Sequence, residues 1–445
     1  MFVNVYKKLK KVNWKAPERI VPAGYALYML LGAGLLMLPW CHSKTTSAGA
    51  LDCLFTAVSA VSTTGLSTVS TGGDYSFGGQ LVVLILIQAG GLGYMTFGSF
   101  IALAVSGNIS SFRRGVATSV LSMPTGFDLK RFLITIALFT LVIEALGAIA
   151  LYPFFRSYGF EMAWWQAIFH SISAFCTAGF SLIDSSFEGF RGNFWFTAII
   201  MILSYTGAIG FIVMSDWWEW MTGHKKGMTL TSKIILWCTI IISISGTIIL
   251  TLEESSIAHL PVMERISTSL FQIMTASTTV GFNTVPIGTL SSSSLFLLTI
   301  AMIIGASPSG TGGGVKTTCV TALWAVMISV LRRDNEARFA GRSIPDSRLK
   351  AATASMMFYL FTLGVGIFLI TLTESHSLTA LMFECASALG TVGLSCGITS
   401  DLSTPGKILI ISLMFLGRIG PLALGMALFS AHRKACSLAE EDVAI

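Results

Sequence analysis

The stretch FTAVSAVSTTGLS (55–67) recurs three more times along the chain, as FHSISAFCTAGFS (169–181), FQIMTASTTVGFN (271–283) and FECASALGTVGLS (383–395). The four copies align without a gap as F-x-x-x-[ST]-A-x-x-T-x-G-[LF]-[SN]. A lone T-x-G reads as an ordinary turn glycine or a helix-packing contact, but four matched copies mark an internal repeat. Each copy begins as a short apolar segment rich in Ser, Thr and Ala. A bilayer core of about 30 Å needs roughly 20 apolar residues to cross. These segments are too short, and read as half-helices that enter a membrane, stop and turn back. Broken backbone is tolerated there only where protein or water surrounds it.

The chemistry of the motif points to a cation. A half-helix carries about half a negative charge at its C-terminal end. Phe and Ser/Thr four residues apart share a helical face, and are expected to pack the half-helix against its neighbours. Glycine then permits backbone dihedrals that other residues avoid, and lets carbonyl oxygens approach an axis closely. Rings of carbonyls can replace the water shell of K⁺. The candidate filter residues are Thr63, Thr64 and Gly65; Thr177, Ala178 and Gly179; Thr279, Val280 and Gly281; and Thr391, Val392 and Gly393. The threonine hydroxyls serve either as ion ligands or simply to satisfy nearby backbone groups.

Composition agrees. The 445 residues are 53% hydrophobic and only 11% charged, against about 25% charged in soluble domains. Eight apolar stretches are long enough to span, at about 20–40, 79–106, 130–152, 193–221, 230–252, 293–331, 348–372 and 405–431. One motif copy lies between the members of each successive pair. The predicted fold is an all-α integral membrane protein of four pseudo-symmetric span–pore helix–span repeats, with eight transmembrane helices and four re-entrant loops around one pore. The expected divisions are a basic N-terminus (1–19), repeat 1 (20–106), a linker (107–129), repeat 2 (130–222), repeat 3 with a broken last helix (230–331), a linker (332–347), repeat 4 (348–431) and a tail (432–445).

Lys and Arg set the expected sidedness. Lys7, Lys8, Lys10, Arg113, Arg114, Lys225, Lys226, Arg332, Arg333, Arg348 and Arg433 share one side, whereas Lys44, Arg156, Arg191, Arg265 and Lys407 share the other. The asymmetry predicts a multi-pass cell-membrane protein with both termini cytoplasmic. Asp74, Glu161, Asp184, Glu188, Glu253, Glu254, Glu264, Glu374 and Asp401 on the outer side would form a negative vestibule, or are ordinary solvated loop residues. Trp164, Trp165, Trp217 and Trp218 sit where interfacial aromatic belts are expected.

The sixth apolar stretch is interrupted by GASPSGTGGGVKTT (305–318). Its Ser, Pro and Gly content breaks a helix at mid-membrane. It fails as a phosphate loop, because Lys316 follows Val315 rather than Gly. Two charges lie inside spans, Lys316 and Arg418, and a buried cation rarely faces lipid. Arg418 is expected either to donate to carbonyls near the filter or to face the pore as an electrostatic barrier. Glu144 reads as the partner of a nearby polar group. Eight cysteines and six histidines are scattered without metal-ligand spacing or a nucleophile–base pairing, so no enzyme and no nucleic-acid role is expected.

With four T-x-G motifs between apolar pairs and a Gly-rich break in the sixth span, the chain resembles the Trk/Ktr/HKT superfamily of K⁺ transporters, particularly the membrane-embedded subunit of Ktr systems. The resemblance implies K⁺ uptake, with K⁺ bound at Gly65, Gly179, Gly281 and Gly393, and Na⁺ as a coupled ion. Glycine rather than serine at position 65 matches the K⁺-preferring members. It also implies a gating loop below the filter, built here from Gly310, Gly312, Gly313, Gly314 and Lys316 with Arg418. The implied partners are a second copy of the chain, membrane lipid and a cytoplasmic ring of nucleotide-binding regulatory subunits. The alternative is a weakly selective monovalent cation or ammonium conductor, because T-V-G-F-N and T-V-G-L-S lack the second glycine of ordinary K⁺-channel filters.

Overall fold

The computed structural model describes residues 17–43, 48–93, 129–223, 227–334 and 336–420. Residues 1–16 of the basic N-terminus, 107–128 of the first linker, 94–106 of repeat 1, 421–431 of repeat 4, the C-terminal tail, Lys44, Lys225 and Lys226 lie outside the described residues.

The chain is built from helices that follow the motif copies in order. Around the first copy lie α1 (Pro17–Leu36), α2 (Ala50–Ser62) and α3 (Phe77–Gly91). Around the second lie α4 (Leu129–Ser157), α5 (Ala163–Phe175), α6 (Phe194–Ile209) and α7 (Phe211–Met221). Around the third lie α8 (Leu230–Glu253), α9 (Val262–Ser277), α10 (Ser292–Ile303) and α11 (Thr317–Arg332). A two-stranded antiparallel hairpin, β1 (Arg338–Phe339) and β2 (Arg342–Ser343), follows. Around the fourth lie α12 (Asp346–Thr371), α13 (Leu378–Gly390) and α14 (Thr404–Ile419).

Local sequence explains the starts. A polar side chain caps α3, α6, α10 and α14, namely Ser76, Asn193, Ser291 and Ser403, each accepting from a backbone amide of the first turn. Such caps satisfy amides that have no partner within the helix. The four motif phenylalanines, Phe55, Phe169, Phe271 and Phe383, and the four motif alanines are fully buried.

The short helices α2, α5, α9 and α13 each pack against the helices before and after them, and the packing then closes on itself. Helix α3 packs on α5, α6 on α9, α10 on α13, and α14 returns to α2. Outward faces are apolar and exposed, with Ile149, Ile202, Leu252 and Phe361 among them. A large continuous surface of this kind is stable only against lipid or another apolar partner.

Among the described residues, three helical stretches are long and apolar enough to cross a membrane: Ile136–Ser157, Leu230–Glu253 and Asp346–Thr371. A fourth is obtained if α6 and α7 are one span. The stretch 193–221, read as one continuous span, is instead bent by 96° between α6 and α7. The bend falls at Gly210, whose φ of +88° suits glycine. The stretch 293–331 is broken between Ile303 and Thr317.

Candidate functional site

Each short helix ends one or two residues before its motif threonine. Thr63, Thr177, Thr279 and Thr391 adopt left-handed φ values of +54°, +50°, +58° and +50°. Gly65, Gly179, Gly281 and Gly393 follow at +93°, +66°, +88° and +95°, while the residues between them keep negative φ. In an extended strand successive peptide groups face opposite ways. Alternating backbone hand removes that alternation, so peptide dipoles of one kind converge on one side.

The amides are turned away from that side. The N–H groups of Thr64, Ala178, Val280 and Val392 donate to the carbonyls of Ser59, Ser173, Thr275 and Ser387, at 2.8–3.0 Å. Their own carbonyls remain to face the neighbouring segment. The motif Ser/Thr also corrects an expectation. Rather than packing the half-helix against its neighbours, Ser59 Oγ and Ser387 Oγ accept from the N–H of Gly65 and Gly393, both at 3.0 Å. Ser173 Oγ donates to Phe180 O at 2.8 Å.

The four T-x-G segments abut in a closed ring. A Cβ added to Gly65 would overlap Ala178 O and Gly179 Cα; one on Gly179 would overlap Val280 O and Gly281 Cα. One on Gly281 would overlap Val392 O and Gly393 Cα, and one on Gly393 would overlap Thr64 O and Gly65 Cα. Each glycine thus makes room for the carbonyl of the next segment, and the order returns to its start.

The Gly-rich break lies directly against this ring. Thr311 Oγ1 is 3.0 Å from Thr177 Oγ1, and Thr63 Oγ1 donates to Thr311 O at 3.3 Å. Gly313 N donates to Thr279 Oγ1 at 3.2 Å. A Cβ on Gly313 would overlap Thr391 Oγ1, and one on Gly312 would overlap Thr279 Oγ1. The break therefore touches all four motif threonines. Gly310 packs against Ala208 O, and Gly314, at φ +70°, against Gly305.

The two cations expected here are both present. Arg418 Nη1 donates to Thr311 O at 2.6 Å and to Thr63 Oγ1 at 3.0 Å, while Nη2 donates to Gly90 O. Tyr25 stacks beneath the guanidinium, with its ring centre 5.9 Å away. Lys316 Nζ donates to Gly312 O at 2.7 Å. Arg418 thus ties α14, α3, the break and one motif threonine together. Glu144 pairs with Gln88 at 3.2 Å.

The acids expected on the outer side are largely engaged in structure. Asp74 accepts from Ser70 N at 2.8 Å, Asp184 from Ser70 Oγ at 2.5 Å and Glu188 from Asn283 Nδ2 at 2.9 Å. Glu264 pairs with Arg191 at 3.1 Å. Burial raises Glu188 above the ordinary carboxylate range, with Asn283 and Arg191 opposing it. Trp164, Trp217 and Trp218 are exposed, but Trp165 is buried and donates to Gln80 Oε1 at 2.7 Å, so it is no belt residue.

A second set of glycines serves the short helices, and two of its members, Gly90 and Gly207, stand in Gly-rich stretches that read in the sequence as sites of close helix packing. Gly90, Gly207 and Gly417 stand at the same place in α3, α6 and α14, and each admits the last carbonyls of a short helix: Val61 O, Phe175 O and Leu389 O. Gly305, at the matching place after the start of α10, admits Gly313 O of the break instead. The Gly-rich stretches point to Gly90 and Gly207, whereas Gly417 joins them only through the common spacing from each helix start.

Comparison with known proteins agrees with this architecture. The TrkH family model, described as cation transport protein, matches residues 11–433. The Ktr system potassium uptake protein B of Bacillus subtilis is 34% identical over 423 residues, covering 94% of each chain. The potassium/sodium uptake protein NtpJ of Enterococcus hirae is 32% identical over 429 residues, again covering 94% of each. The crystal structure of the potassium transporter TrkH from Vibrio parahaemolyticus superposes with a TM-score of 0.73 at 18% identity, covering 94% of this chain and 86% of that one. The chain therefore belongs to the TrkH family of cation transport proteins in the Trk/Ktr superfamily, whose members are ion transporters in the membrane and not enzymes.

Proposed function

We propose that the chain is the K⁺-conducting membrane subunit of a Ktr-type uptake system. In this reading eight spans and four re-entrant loops, divided at the repeat boundaries given above, surround one pore. The four T-x-G segments are its selectivity filter. The observation that carries it is the closed ring in which each glycine makes room for the next segment's carbonyl. Carbonyls of Thr64, Ala178, Val280 and Val392 stand in for the water shell of K⁺. The C-termini of α2, α5, α9 and α13 add about half a negative charge each.

The segment 310–314 lies across the inner end of the filter. An ion leaving the filter meets it together with two like charges, Lys316 and Arg418, and like charges repel. Conduction therefore requires the segment to withdraw, and Arg418 is the latch that holds it. A cytoplasmic ring of nucleotide-binding subunits drives that withdrawal in a homodimer with both termini inside. The basic region 332–350 supports the docking of such a ring. Na⁺ acts as a coupled ion, a reading supported by the name of the Enterococcus hirae relative.

The filter sequence favours one second reading. Phe282–Asn283 and Leu394–Ser395 stand where a further glycine would lengthen the carbonyl column, which fits a less selective monovalent cation or ammonium conductor. Uptake of K⁺ and Na⁺ in a K⁺-uptake-deficient bacterium, with the regulatory subunit supplied, separates the two. Wild type is expected to take up K⁺ preferentially, and Gly281→Ser to lose affinity or discrimination. Equal handling of both ions by wild type selects the second reading. Unchanged uptake in Gly281→Ser removes the filter assignment altogether.

A further inference from the structure

Directly after each motif phenylalanine stands a residue that the consensus leaves open: Thr56, His170, Gln272 and Glu384. Their chemistries differ, yet all four are polar and at most 1% exposed. Each reaches the chain that climbs away from the filter. Thr56 Oγ1 meets Tyr75 Oη at 3.2 Å. His170 Nε2 lies 3.0 Å from Ser181 Oγ and accepts from Leu182 N at 3.3 Å, while Nδ1 lies 2.8 Å from Gln166 O. Accepting from an amide makes Nε2 the bare nitrogen, so Nδ1 carries the proton. Gln272 Nε2 donates to Thr284 Oγ1 at 3.1 Å. Thr399 Oγ1 donates to Glu384 Oε1 and lies 2.9 Å from Ser395 Oγ.

Ser181, Thr284 and Ser395 lie within a few residues of Gly179, Gly281 and Gly393, so these contacts hold the outer end of three filter segments from behind. Fixed side chains behind a binding site set its geometry, and a site left loose loses discrimination. Glu384 accepts from Thr399 and holds its segment through a chain of two hydroxyls.

We propose that His170, Gln272 and Glu384 form a brace behind the filter that sets its radius and its preference among monovalent cations, with Glu384 the main specificity-determining residue. The proposal rests on the pore reading above. Glu384 acts on the ion through the backbone, so it is a positioning residue.

The test uses the purified full-length chain in detergent. Its unfolding temperature is followed against KCl and NaCl, with choline chloride holding ionic strength constant. A bound ion raises the folded state's apparent stability. Wild type is expected to respond to K⁺ at lower concentration than to Na⁺. Glu384→Ala and Thr399→Val should each raise the half-maximal K⁺ concentration about fivefold, and move the Na⁺ value less, as expected for loss of one buried hydrogen bond. Glu384→Gln keeps an acceptor for Thr399 and should stay within about twofold of wild type. The double variant Glu384→Ala/Thr399→Val should be no worse than Glu384→Ala, since the two share one interaction. Unchanged ion midpoints in Glu384→Ala and Thr399→Val overturn the brace, even where melting in choline alone falls. Glu384→Gln as severe as Glu384→Ala overturns it too. A wild-type chain with no K⁺-specific response overturns the pore reading, and the brace with it.

Discussion

Four threonines in the left-handed region are costly, because a branched Cβ crowds the backbone there. Such strain is of order 1–3 kcal/mol per residue and persists only where the surroundings over-determine it. Here each segment is pinned on several sides. Thr63 and Thr177 donate back to the carbonyls of Ser62 and Cys176 at 2.7 and 2.8 Å, and the following amides are bound by the motif Ser/Thr carbonyls. From α14, Arg418 reaches both this ring and the break. Arg418→Gln keeps one polar head but loses the charge and most of the donors reaching Gly90 O and Thr311 O. It is expected to free the segment 310–314 and to raise the initial rate of K⁺ uptake several-fold at saturating K⁺. A rate at or below wild type, at equal membrane abundance, would remove the latch role.

Two broken helices interlock. Where α6 ends, Gly207 O accepts from Thr311 N at 3.2 Å and Ala208 O from Ser307 Oγ at 2.8 Å. Where α7 begins, Phe211 N donates to Ser309 O at 3.3 Å and Ile212 N to Ser309 Oγ at 3.2 Å. The orphan groups of one bent helix are thus satisfied by the break in another. A related device recurs at the ends of α8 and α12. Glu254, just beyond α8, accepts from Ser291 N and Ser291 Oγ, both at 3.0 Å, and Glu374 beyond α12 accepts from Ser403 N at 3.1 Å. An acid after one helix therefore holds the cap of another. Burial alone would raise Glu254, but the Ser256 amide, the Ser294 hydroxyl and the Ser291 amide outweigh it and hold the carboxyl down, from 4.5 to about 2. A folded value below the unfolded one stabilises the fold fully above pH 4.5, and that contribution is lost as pH falls through about 2. Glu254→Gln should therefore cost about 1–3 kcal/mol at neutral pH. Its melting deficit relative to wild type should shrink once pH drops below about 4. A deficit constant across that range would contradict the assignment.

For the whole molecule, closure joins the two ends of the described chain. Helix α14 packs on α2, and Lys407 pairs with Asp52 at 3.1 Å, which also accepts from Thr68 Oγ1 at 2.8 Å. The pair is only partly exposed, at 17% and 22%. Partly shielded pairs of this kind contribute about 1 kcal/mol or less, and lose some of it in salt. Asp52→Asn and Lys407→Met should each lower thermal stability modestly, the double variant should show coupling, and 1 M salt, where screening acts within about 3 Å, should reduce the coupling. Additive losses would mean that the pair plays no part in joining the ends.

The four T-x-G copies, the apolar helices and the break at 305–318 are legible in the chain itself, because each depends on a short run of neighbours: a left-handed turn, a membrane-length apolar stretch, a Gly-rich interruption. Membership of a cation-transporting class follows from the same runs. Other features depend on residues that meet only after folding. Gly90, Gly207 and Gly417 are ordinary glycines until a carbonyl from another helix approaches them. The bend at Gly210 exists because Ser307 and Ser309, about a hundred residues later, satisfy its broken backbone. Thr56, His170, Gln272 and Glu384 share no letter, since a hydroxyl, an imidazole, an amide and a carboxyl can each bond a polar group of the chain beyond the filter, some by donating and some by accepting. Local dihedral preference and hydrophobicity determine the repeats; tertiary packing alone decides which carbonyl each glycine admits and which polar group each helix end receives.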